Sequence, residues 1–152
     1  MFNLFGLIFV LLLLVPNLVF AVTHKDGFEN LYHNKTVELL EQIGRFGCFL
    51  LEFLEIPFLC RGIFFDGGRT VYLAVGATLV ALYLLGWAVF WKESSLRKAI
   101  ALSVLPSLLF LESGILTLNL PLIAFALLFA PCHTIIGVKN ALAEREKKKG
   151  LE

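Results

Sequence analysis

Residues 37–60 carry Glu38, Glu41, Arg45, Glu52 and Glu55 within a stretch otherwise apolar enough to cross a membrane. In a helix, at about 100° per residue, these five fall in a wedge of roughly 100°, with Cys48 among them. A charge at mid-bilayer costs about 2.5–3.5 kcal/mol on insertion scales. Five charges on one span are tolerated only where they face other helices, pair with one another or line a cavity. The segment therefore needs companions around it. The stripe marks the working surface of the bundle they form.

The rest of the chain supplies those companions. It has 152 residues, of which 59% are hydrophobic and 16% charged. Soluble domains carry about 25% charged residues. A span needs about 20 apolar residues, so the length allows four or five spans and no separate soluble domain. A net charge of +1 points to no nucleic-acid partner. The bilayer is the expected partner. Cys48, Cys60 and Cys132 show neither CxxC nor metal-ligand spacing, and read as free buried thiols. No cofactor motif is present. The final Leu151-Glu152 resembles a cloning remnant and stands outside the argument.

The expected fold is all-α, with five spans in one transmembrane domain over 1–138. They run about 2–22, 37–60, 70–91, 99–118 and 120–138, followed by a basic tail over 139–152. Trp87 and Trp91 form an interfacial belt, Gly67-Gly68 a turn, and Asn119-Leu120-Pro121 a tight corner. Lys and Arg set direction. With the N-terminus outside and the C-terminus cytoplasmic, Lys25, Lys35, Lys92, Arg97, Lys98, Lys139, Arg145, Lys147, Lys148 and Lys149 lie inside. Arg61 and Arg69 lie outside. A cleaved first span, suggested by Val19-Phe20-Ala21, lacks a basic n-region and puts basic loops outside. A second segment lying flat on the surface also strands one basic region outside. Asn34-Lys35-Thr36 matches a glycosylation acceptor but falls on the cytoplasmic side.

Direction and a 1.5 Å rise turn residue number into depth. Two polar layers follow. The inner one gathers Glu41, Arg45, His133 and Asn17, roughly 5 Å to the cytoplasmic side of the midplane. The outer one gathers Glu52, Glu55 and Glu112, roughly 5 Å to the other side, with Arg61 near the mouth. Glu41 and Arg45 are an i,i+4 pair in the favoured order, able to neutralise one another. His133 either bonds a carbonyl freed near Pro131 or serves a proton relay. The outer carboxyls have few basic partners at their depth, so they hold protons or await a cation. The alternative is that Glu55 and Glu112 snorkel outward beside Arg61 and Arg69. Prolines 16, 57, 106 and 131 interrupt spans or their ends, and Ser103 and Ser107 flank Pro106. Gly44, Gly47, Gly76 and Gly86 allow close helix approach.

Three stretches are distinctive: Lys25-Asp26-Gly27-Phe28-Glu29-Asn30, Glu41-Gln42-Ile43-Gly44-Arg45-Phe46-Gly47-Cys48, and Pro131-Cys132-His133. Through them most of the chain resembles a group of uncharacterised small multi-pass membrane proteins of clostridia and related Gram-positive bacteria. The resemblance implies a single domain in a bacterial plasma membrane and no Cys48–Cys132 bridge. It carries over no activity.

Three functions are compatible with this reading. The first is a channel or transporter for a cation, proton or small solute along the stripe, within a homo-oligomer or larger membrane complex. No inverted repeat of the transporter kind is visible. The second is an accessory or structural membrane subunit. The third is a membrane-embedded site for a lipid-like ligand or for acid–base catalysis. No HExxH, nucleophile elbow or phosphate loop supports an enzyme. His133 also points about 100° away from Cys132 and is poorly placed to activate it. Transport is the leading expectation.

Overall fold

The computed structural model describes residues 2–24 and 30–150. Lys25, most of the Lys25–Asn30 stretch and Leu151-Glu152 lie outside the described residues. Five helices follow in order: α1 (Leu4–Thr23), α2 (Lys35–Phe53), α3 (Gly68–Val89), α4 (Leu96–Leu116) and α5 (Leu120–Lys149). The architecture is all-helical, with two isolated bridges, Phe2–Leu54 and Cys60–Asn119. Four helices, α1, α3, α4 and α5, are long and apolar enough to cross a membrane.

Local chemistry sets the helix starts. Asn3, Asn34, Ser95 and Asn119 each accept a hydrogen bond from the backbone N–H three residues on, at Gly6, Val37, Lys98 and Leu122. A side-chain oxygen there satisfies a donor that the first turn leaves without a partner. Gly67 opens α3 at φ +87°, a left-handed conformation that suits glycine.

Two boundaries differ from the sequence expectation. The second helix stops at Phe53 rather than continuing to residue 60, and Leu54 is extended. Pro57 has no N–H to give and disfavours helical backbone at Ile56. Phe58 follows with φ +72°. Glu55 and Cys60 are therefore not on the helix, and the wedge that grouped Glu55 with Glu52 does not extend that far. At the other end of the chain, α5 continues through the basic tail as one helix to Lys149, with a Glu144–Lys148 ion pair at i,i+4.

The helices form a ring in the order α1, α3, α4, α5, α2, and α2 returns to α1. Helices α1 and α3 run in the same direction. The Asn3 amide donates to the Tyr72 hydroxyl at 3.1 Å, and Asn17 to the Tyr83 hydroxyl at 2.6 Å. Phe20 packs on Trp87 with ring centroids 5.0 Å apart. The chain between them must therefore travel back along the bundle, and α2 makes that return. It lies antiparallel to α5: Glu41 is opposite His133, Gly44 opposite Phe129, and Asn119 caps the Leu51 carbonyl. At Gly44 a Cβ would come within 2.9 Å of the Phe129 backbone, so no larger residue fits at this separation.

The distribution of side chains is inverted on α2. Glu41 and Glu52 are 2% exposed, while Leu39, Ile43, Phe46 and Leu50 point outward. Helix α4 is the most enclosed, with Leu109 and Phe110 at its centre and Ser103, Ser107 and Ser113 buried beside them. Pro106 leaves the helix ladder one donor short, and the Ser107 hydroxyl donates to the Ser103 carbonyl at 2.8 Å nearby. The three cysteines are free.

Candidate functional site

The buried face of α2 meets two polar clusters, one above the other. The first lies towards the end of the bundle that carries Trp91. Oε1 of Glu41 receives Arg45 through Nε at 3.0 Å and Nη2 at 2.5 Å. It also meets Nδ1 of His133 at 2.8 Å. An ionised carboxylate can only accept, so the hydrogen between the two groups is carried by Nδ1 of His133. The Phe129 ring stacks on the imidazole, centroids 4.6 Å apart and planes at 21°, and fixes its orientation. Arg45 and His133 are partly exposed while Glu41 is enclosed, so the two cationic or basic groups shield the carboxylate. Asn17 does not touch Glu41. It donates to Tyr83 and to the Leu13 carbonyl, and joins the cluster only through Tyr83, which feels the Arg45 charge.

The second cluster lies towards the Asn3 end. The carboxyls of Glu52 and Glu112 interact electrostatically, and Ser113 is adjacent to both. All four carboxyl oxygens and the Ser113 hydroxyl are buried without a hydrogen-bond partner among the described residues. The Tyr72 hydroxyl stands beside Glu52 and accepts from the Asn3 amide. Among the described residues no cationic side chain acts on either carboxyl. Such an arrangement is costly unless the groups carry protons or a bound cation. Glu55 lies in the segment after α2, partly buried, and its charge acts on Tyr72 and Cys60. Arg61 is tied through its backbone to the Leu118 carbonyl, with its side chain exposed.

Of the seven residues singled out from sequence, five thus fall into two close groups: Glu41 with Arg45 and His133, and Glu52 with Glu112. Asn17 is one tyrosine removed, and Glu55 is off the helix. Sequence reasoning missed Asn3, Tyr72, Tyr83, Ser113 and Asn119. One signal was available: Tyr72 and Tyr83 are three helical turns apart on one face of an apolar segment, where each hydroxyl needs a partner. Asn119 is 1% exposed and serves twice, capping α5 and donating to the Leu51 carbonyl at 2.9 Å.

No family model, curated protein or solved structure matches this chain.

Proposed function

We propose that this protein is a small membrane channel or transporter that moves a proton or monovalent cation past Glu52 and Glu112. The observation that carries this reading is the pair of carboxyls itself. Four buried oxygens and a buried serine hydroxyl find no partner among the described residues, and side chains that served only packing would be apolar at that cost. In this reading the pair holds the ion. The Glu41–Arg45–His133 cluster forms the inner gate, with the His133 imidazole as its proton relay.

The proposal includes five spans, N-terminus outside and C-terminus cytoplasmic, in a bacterial plasma membrane. The parallel course of α1 and α3 supports it, because two spans pointing the same way require a third between them. The outward apolar face of α2 supports it too. At 19 residues and a 1.5 Å rise, α2 spans about 28 Å, close to the hydrocarbon thickness of about 30 Å. Five helices make a thin wall, so the working form is a homo-oligomer or part of a larger complex. A second reading, acid–base chemistry on a lipid-like ligand, is favoured by one contact, the 2.8 Å Glu41–His133 pair.

The test is proton and monovalent-cation flux in proteoliposomes, for the wild type and for Glu52→Gln with Glu112→Gln. Flux in the wild type and its loss in the double variant are expected. No flux from correctly inserted wild-type protein would overturn the transport reading.

A further inference from the structure

Two surface features of α4 lie end to end. At the Trp91 end, the 93–97 turn and the last turns of α5 enclose a cleft of about 440 Å³. Arg97, Arg145, Lys148 and Lys149 line it, against one carboxylate, Glu93. Lys148 also pairs with Glu144 at 3.3 Å. Alongside, an apolar groove of about 360 Å³ runs between α3 and α4, floored by Leu85, Val89, Ala101 and Leu105. Arg97, Ala101 and Leu105 follow one another at four-residue spacing, so one face of α4 leads from the basic cleft into the groove. The Glu93 N–H donates to the Phe90 carbonyl at 3.1 Å and closes the turn that joins the two. The level is marked by aromatics and a cation. Trp87 and Trp91 lie 5.8 Å apart, and the Lys98 ammonium sits 4.3 Å above the Phe20 ring. Trp87 is buried and Trp91 partly exposed, and a partly exposed tryptophan suits a membrane–water interface.

We propose that cleft and groove together bind one anionic glycerophospholipid, with its phosphate among the four basic side chains and an acyl chain along the groove. Arginine offers a planar fork that matches phosphate oxygens two at a time. The excess of positive charge selects the headgroup. A choline lipid would bring its own ammonium into the cleft, whereas a glycerol headgroup brings none. A basic cleft alone would suit any phosphate, and an apolar groove alone any chain. Their continuity on one helix face fits a molecule that has both. The inference requires bilayer insertion and is independent of transport.

The test is lipid retention by native mass spectrometry, after reconstitution of the full chain in vesicles of equal phosphatidylglycerol and phosphatidylcholine. Preferential retention of phosphatidylglycerol is expected. Each basic side chain at such a surface contributes about five-fold, so Arg97→Gln with Arg145→Gln should lower that retention roughly 30-fold. Leu105→Trp, which fills the groove and keeps every charge, should lower it as well. Lys139→Gln removes a cation at the same end outside the cleft and should leave it unchanged. An equal fall in Lys139→Gln would mean general charge attraction and overturn the proposal. So would displacement of the lipid by millimolar inorganic phosphate, the mark of a simple phosphate site. Equal retention of the two lipids by the wild type would also refute it.

Discussion

Glu41 and Glu52 are equally enclosed on the same face of α2, and their surroundings are opposite. One oxygen of Glu41 takes Arg45 and His133, whereas neither oxygen of Glu52 takes anything. The two glutamine substitutions should therefore diverge. Removing one member of a buried pair costs about 3–5 kcal/mol, and the partial exposure of Arg45 and His133 moves Glu41→Gln to the lower end, about 2–3 kcal/mol. Glu52→Gln supplies amide donors beside Ser113 and Tyr72 and should change stability by less than about 1 kcal/mol. Unfolding in detergent micelles measures both, and equal losses would remove the distinction. The Glu41 cluster was legible because i,i+4 spacing and helix rise suffice to bring Arg45 and His133 to one level. The hydroxyls of Tyr72, Tyr83 and Ser113 were not, because which helices touch is decided by packing. Glu55 was misplaced by extending a helical wheel into a proline whose effect reaches back along the chain.

At the scale of the elements, glycines set how closely helices approach, at Gly6 between α1 and α2 and at Gly44 and Gly47 between α2 and α5. A Cβ at Gly44 meets the Phe129 backbone at 2.9 Å, whereas one at Gly86 meets only the tip of Leu102 at 3.4 Å. Gly44→Ala should cost about 1–3 kcal/mol by forcing the helices apart, and Gly86→Ala less than about 0.5 kcal/mol. Thermal inactivation midpoints of the two variants give the comparison, and similar values would show that α2 shifts freely on α5. Asn34 and Ser95 carry the helix-start signal, yet spans set by hydropathy alone begin at about 37 and 99, later than α2 and α4 do. The run to Lys149 reads from sequence as a solvated helix end, and what the structure adds is its continuity with the span across residue 138.

For the whole molecule, the parallel pair α1 and α3 is the feature that matters most. With five spans, cysteines introduced singly at His33 and Asp66, on either side of α2, in a cysteine-free chain should label from opposite sides of the membrane, His33 from the cytoplasm. Labelling of both from one side would refute the arrangement. The ring also has a consequence for how the chain is made. Glu41 finds His133 only after 92 further residues have been synthesised. At about 2.5–3.5 kcal/mol for each central charge, α2 has little reason to enter lipid by itself. It must wait beside the membrane or in the insertion machinery until the last helix arrives. A nascent chain stalled before residue 120 should leave α2 behind and carry α3 across in the wrong direction. The loop at 92–98 would then face outward, and completing the chain would turn it back. On the proposed five-span arrangement α5 thus acts as a clock for assembly: the direction of helices made earlier is settled by one made later.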